Sequence, residues 1–301
     1  MSGELTAFLS AICYSLSYVF LRKGQVERET PDNGLFLVLA VSSAVLVFAS
    51  LIHMAMGPHR APLPNFHAPA TLYFVAGGIT STFLGRLALY AAIDRLGATR
   101  GVVIKTLEPL VTLGIALFML GEKMRGTDKV SILLLLSGLV LLSLEPYLFP
   151  KRLIRSVFVQ GVLVGLGAAI LQGIGHTIRK VGMSAVPLNP LYAAAIDVVA
   201  AFLVYTLVLA AIGRLPRFIR QLSTSSWYLY VAGILSATGV LLFFDAVSKI
   251  PVFTAAFIAG SQPLFVALLS AALLSSVETL NWAVFIASWL VAAGIIMAGW
   301  W

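Results

Sequence analysis

Residues 101–110 read GVVIKTLEPL and put Lys105 and Glu108 inside an apolar run that extends from about residue 99 to 120. A helix rising ~1.5 Å per residue needs a run of that length to cross ~30 Å of hydrocarbon. Outward from it the same length recurs, at roughly 5–21, 34–56, 71–93, 129–149, 157–178, 190–213, 226–248, 252–275 and 280–300. Ten such runs predict an all-α integral membrane protein with ten transmembrane helices. A β-barrel is excluded, because its strands alternate over about ten residues.

Composition agrees. The 301 residues are 60% hydrophobic and 11% charged, with mean hydropathy +0.99, outside the range of soluble domains. The first run is preceded by Glu4 and no basic residue, so it lacks the positive region of a cleavable signal and is expected to stay as a helix. Cys13 is the single cysteine, which removes intramolecular disulfides and multi-cysteine metal sites. The net charge of +8 is scattered through short connectors, the pattern of membrane flanks rather than of a nucleic-acid surface. No cofactor or metal is expected.

The chain repeats itself. YSLSYVFLRKG, residues 14–24, and LQGIGHTIRKVG, residues 171–182, superimpose Arg22 and Lys23 on Arg179 and Lys180 at a shift of 157. A shift of 154 then sets Gly85, Ala92, Ile104 and Pro109 over Gly239, Ala246, Ile258 and Pro263, with seven identities over residues 85–121. Two residues inserted near 275–278 make the shift 156 and set Gly138 over Gly294. These offsets predict two five-helix repeats, 1–149 and 150–301, joined through FPKRLIRS at 149–156. Five is odd, so the second repeat runs opposite to the first, and an inverted repeat is a transporter architecture.

LYAAIDRLGATRGVVIKTLEPLVTLGIALFMLGEK, residues 89–123, resembles the EamA-type drug/metabolite transporters. The family's small-residue fourth helix, the Glu-Pro within it and the Gly-Glu at its end match Glu108, Pro109, Gly121 and Glu122. The resemblance implies a ten-helix carrier in a bacterial cytoplasmic (inner) membrane with cytoplasmic termini. The charge bias of the connectors, read alone, would put both termini outside. Departures lie mostly in the second half: Gln262 where Glu108 stands, and Ser275-Ser276 where Gly121-Glu122 stand. The second helix has Ser42 and Ser43 where the family commonly has Arg, and the seventh has Asp197.

An unpaired charge at depth costs at least ~2.5–3.5 kcal/mol, so every deep ionisable group needs a partner or water. Lys105 and Glu108 share a helix face at i, i+3, which fits either plain self-neutralisation or a substrate site. Arg86 reaches the same level from the antiparallel neighbour and adds a surplus cation, favouring a carboxylate or phosphate on the solute unless Asp197 consumes it. Pro109 and Pro263 each free one mid-helix carbonyl, for a kink or for a cavity lining. Tyr14 and Tyr18 are one turn apart, as are Gln172 and His176 at the corresponding depth of the second half; the tyrosines suit either a cavity wall or ordinary packing. Tyr90, one turn from Arg86, and Gln262 complete the expected substrate-binding set. His176 and Asp197 are candidates for proton coupling, against a purely structural pair. Asp245 and Lys249 read as a surface pair. The runs 129–149 and 280–300 have almost no deep polar group, so they belong at the periphery, with Gly294 and Ala298 offering a dimer seam.

An enzyme is disfavoured by the absence of His-Glu-x-x-His, Gly-x-Ser-x-Gly or any metal-spaced cluster. A channel would show a ring or filter motif. The expected function is secondary transport of a small metabolite such as an amino acid by alternating access, as a monomer or homodimer, with proton-coupled efflux of drug-like compounds as the competing reading.

Overall fold

The computed structural model describes residues 1–28, 30–56, 68–119, 126–149, 155–186, 188–278 and 280–299. Among these the chain is helical throughout. The elements are α1 (Gly3–Glu27), α2 (Leu35–Met56), α3 (Thr71–Leu96), α4 (Ala98–Lys105), α5 (Glu108–Met119), α6 (Gly126–Leu148), α7 (Arg155–Ala185), α8 (Pro190–Ala211), α9 (Leu215–Leu222), α10 (Trp227–Lys249), α11 (Val252–Ala259), α12 (Gln262–Leu273) and α13 (Trp282–Gly299). Among the described residues, seven spans are long and apolar enough to cross a membrane: α1, α2, α3, α7, α8, α10 and the stretch Val252–Leu273.

Local chemistry sets the starts. Ser2 accepts from Leu5 N and caps α1, while Asn189 accepts from Leu191 N ahead of Pro190 and caps α8. Asp32 does the same for α2, accepting from Gly34 N at 3.2 Å and Phe36 N at 2.6 Å.

Three departures from the sequence expectation matter for the site. The fourth and ninth runs are each two helices, interrupted at Thr106–Leu107 and at Gly260–Ser261, because Pro109 and Pro263 cannot donate into a continuing ladder and instead open the second half-helix. The third run contains a π-helical stretch, Gly78–Gly85, which turns the face of α3 by an extra residue; such stretches are frequent at functional sites. The sixth helix continues to Ala185 instead of ending near 178, so His176 and Arg179 sit inside it.

The two halves exchange contacts. α1 packs most extensively on α10 and, reciprocally, α7 on α3; α2 packs on α8, and α6 on α13. A Cβ on Gly78 would lie 2.2 Å from Asp197 O, and one on Gly233 would meet Val41 and Val38 O, so α3 meets α8 as α10 meets α2. Gly138 is set against Ala287 O and Gly294 against Ser131 O, each at 2.8 Å from a built Cβ. Gly294 therefore faces α6 of the same chain and is not free for a seam between copies; the side chain of Ala298 lies outside the described residues. α6 also carries a buried carboxylate that its run disguises. Glu145 is fully buried and accepts from Arg100 Nε at 2.7 Å and Asn281 Nδ2 at 2.6 Å.

Candidate functional site

The cavity lies where both halves meet and is lined by Tyr14 and Tyr18 of α1, Ser81 and Arg86 of α3, Lys105 of α4, Glu108 of α5, Gln172, His176 and Arg179 of α7, Phe243 of α10, Ala259 of α11 and Gln262 of α12. Its empty space is about 320 Å³, but only about 10 Å³ is open to the centre of a water molecule, room for roughly one water. Most of the polar side chains around it are paired with one another.

Lys105 Nζ donates to Glu108 Oε1 at 2.6 Å and to Gln262 Oε1 at 3.2 Å. Glu108 and Gln262 occupy equivalent places in the two repeats, each opening a half-helix after its break. Lys105 thus bridges the two broken helices through residues related by the repeat. Glu108 Oε2 lies 3.5 Å from His176 Nε2, too far for a good hydrogen bond, and has no hydrogen-bond partner among the described residues.

Arg179 holds Asp197 bidentately, Nε to Oδ1 at 2.8 Å and Nη2 to Oδ2 at 2.9 Å, and Thr82 bonds both, at 2.6 Å to each. Its remaining nitrogen, Nη1, is 3.1 Å from His176 Nδ1. Arg179 therefore stands between the two candidate proton carriers, and Asp197 is spoken for by this guanidinium rather than by Arg86.

Arg86 is 5% exposed, donates from Nη1 to Ser236 Oγ at 2.6 Å and lies 5.8 Å from the ring centroid of Tyr14. Among the described residues it forms no ion pair, whereas Lys105, Arg100 and Arg179 each hold a carboxylate. Tyr14 and Tyr18 stack at 6.0 Å with planes 12° apart. Gln172 Nε2 donates to Gly85 O at 3.3 Å, which fixes α7 on α3.

The structure thus gathers Tyr14, Tyr18, Arg86, Lys105, Glu108, Gln172, His176 and Gln262 around one space. Tyr90 and Asp197 lie outside the lining; Tyr90 is fully buried and its hydroxyl lacks a partner among the described residues. Sequence reasoning passed over Ser81, Phe243, Ala259 and above all Arg179. A sixth run that ends near 178 leaves Arg179 just beyond it, although its match to Arg22 in the repeat had already singled it out.

Elsewhere, Lys249 and Asp245 form a partly exposed pair at 2.6 Å, as their spacing implies. Gly121 and Glu122 lie outside the described residues. In the second half the carboxylate comes at Glu278, beyond Ser275-Ser276; it is buried and accepts from Ala98 N and Thr99 Oγ1, capping α4. Gly97, at φ 89°, leaves room for that carboxylate, which a Cβ would approach to 2.8 Å.

Proteins named "Uncharacterized inner membrane transporter YhbE", from Escherichia coli (strain K12), Escherichia coli O157:H7 and Shigella flexneri, are each 27% identical to the chain over 172 residues, 56% of its length. The match spans 50% of their own length, so the chain covers about half of these relatives. A solved crystal structure superposes with a TM-score of 0.61 over 97% of the chain and 95% of its own, at 17% identity, a likeness of fold alone. The model of the EamA-like transporter family matches residues 1–144 and, a second time, residues 159–300. Matched in both halves, this chain belongs to the EamA-like transporter family, one copy of the family unit in each half.

Proposed function

We propose that the chain is a secondary carrier of a small amphipathic metabolite bearing a carboxylate, such as an amino acid, working by alternating access around the central cavity in a bacterial inner membrane. Its ten crossings form two inverted halves, 1–149 and 150–301, with the broken helices meeting at the solute. Gln262 and Lys105 join those helices across the repeat axis, and stacked Tyr14 and Tyr18 suit the apolar part of the solute.

One observation carries the reading. Arg86 is a buried guanidinium on the cavity wall with no carboxylate partner among the described residues. An uncompensated charge at that depth is expensive, and an arriving carboxylate supplies the missing counter-ion. The relatives' printed name, an inner membrane transporter, fits the placement.

The test is uptake and binding in proteoliposomes, screened over amino acids and simple carboxylates. Arg86→Gln keeps a donor for Ser236 and deletes the charge. Solute affinity should then fall by ~1.5–3 kcal/mol, roughly ten- to more than a hundredfold. The melting temperature should hold or rise, since a lone buried charge has gone. A destabilised Arg86→Gln protein that binds its solute normally would assign Arg86 to packing and sink the proposal.

A further inference from the structure

Arg179 has no carbonyl or lone pair to offer, so its contact with His176 Nδ1 has one sense: Nη1 donates and Nδ1 accepts. The neutral imidazole must then carry its hydrogen on Nε2, facing Glu108 Oε2. No extra proton can enter between His176 and Glu108 while that contact holds. Adding it to Nδ1 sets two donors against each other. Adding it to Glu108 Oε2 does the same at Nε2.

The guanidinium is otherwise immobile. Nε and Nη2 are committed to Asp197 and Thr82, so Nη1 is the one edge that can change partner without moving the group. Arg179 and His176 both line the cavity. The groups facing His176 are Glu108 and Lys105 from the α4–α5 break, Arg179 from its own helix with Asp197 of α8 behind it, Arg86 of α3 across the cavity, and Tyr14 and Tyr18 of α1; the ring of Phe243 closes one side at 4.4 Å.

We propose that Arg179 couples solute to proton: a solute carboxylate takes Nη1, His176 Nδ1 is released, and His176 takes up one proton to become an imidazolium paired with Glu108. This rests on the carboxylate reading above. The proton comes from water and adds to the Nδ1 lone pair, nothing is oxidised or reduced, and the Nε2 hydrogen stays where it was. Glu108 Oε2, without a hydrogen bond among the described residues, gains a charged donor. Asp197 keeps Arg179 in place and does not itself carry the proton. Arg179 is thus a positioning residue toward His176 and a binding residue toward the solute.

Linkage makes the effect reciprocal: if anion binding promotes protonation, protonation promotes anion binding by the same factor. The probe is formate, the smallest carboxylate, with chloride as control, and the protein is the full chain labelled with 15N. His176 is assigned among the histidines by its loss in His176→Asn. Near pH 7.5 without formate, the bare nitrogen of His176 should be Nδ1. Formate should bring up its imidazolium signal and bind at least about tenfold more tightly near pH 5.5 than near pH 8. In Arg179→Lys, which can still neutralise Asp197 but lacks the third edge, formate binding should lose its pH dependence. If that variant does not fold, the wild-type signals decide. A bare Nε2, or formate bound with His176 unchanged, overturns the coupling and leaves the carrier reading intact. Failure of formate and of every screened carboxylate to bind overturns both.

Discussion

Lys105 shows how little a charge in an apolar run says until its surroundings are known. It is 2% exposed, bonded to Glu108 and Gln262, so i, i+3 self-neutralisation is half of its role and a bridge between the repeats is the other half. The two uses separate in a double variant. Lys105→Met alone strands a buried carboxylate and should cost ~3–5 kcal/mol of stability, whereas Lys105→Met with Glu108→Gln restores most of it. If the pair serves the solute, transport in proteoliposomes stays below a tenth of wild type in that stable double variant; full transport there would leave the pair a structural one. Asp32 behaves differently, because it lies in the turn before α2. Burial pushes its carboxyl above the usual carboxylate range, against the pull of the Phe36 and Gly34 amides and the Tyr205 hydroxyl. The folded state therefore binds this proton before the unfolded state does, and the Asp32 contribution to stability rises as pH falls through the raised value and levels off below the unfolded one near 3.8. Melting curves of wild type minus Asp32→Asn across mildly acidic pH should show that slope, and a difference independent of pH would contradict it.

At the scale of elements, the breaks and the π stretch make the site. Pro109 and Pro263 break the helices at the cavity itself, so Lys105 and Ala259 line it from the ends of α4 and α11, and Glu108 and Gln262 from the starts of α5 and α12. The prolines were legible in the sequence, and so was their equivalence in the repeat. The π stretch was not, since GITSTFLG has no residue that forbids an ordinary helix. It exists because α3 must bring Gly78 onto the backbone of Asp197 and still turn Ser81 and Arg86 to the cavity and Thr82 to the Arg179 pair. Gly78→Ala tests this. With a Cβ 2.2 Å from Asp197 O, α3 and α8 must part, which should lower stability by ~1–3 kcal/mol and disturb the Thr82–Asp197–Arg179 contacts. Thermal melting and solute affinity should fall together; an unaffected melt would mean that the two helices are not held at this distance.

For the whole molecule, each half completes itself on the other: α1 lies on α10, α7 on α3, α6 on α13. Part of the polar surface of the first half is then buried only against the second. Ser10, Ser17 and Ser42, all in the first half, donate to Gly239 O, Ala232 O and Gly233 O in the second. Split in the connector 150–154, the halves should accumulate in membranes when expressed together and be degraded when expressed singly, read by immunoblot of membrane fractions. A first half stable by itself would refute this mutual completion.

The sequence by itself determined the helical membrane class, the repeat with its equivalences of Pro109 with Pro263 and Gly138 with Gly294, and most of the residues around the cavity. Those follow from run length, spacing and the price of charge in hydrocarbon, all local or one-dimensional quantities. Only the tertiary structure decided which charge meets which. Arg179, three residues past His176 and displaced from view by a helix end placed seven residues early, takes the Asp197 that would otherwise neutralise Arg86. Ion pairing between helices depends on how far each helix runs and on how it is turned about its axis. Hydropathy fixes neither, because at the membrane boundary a flanking arginine and a buried one have the same neighbours in sequence.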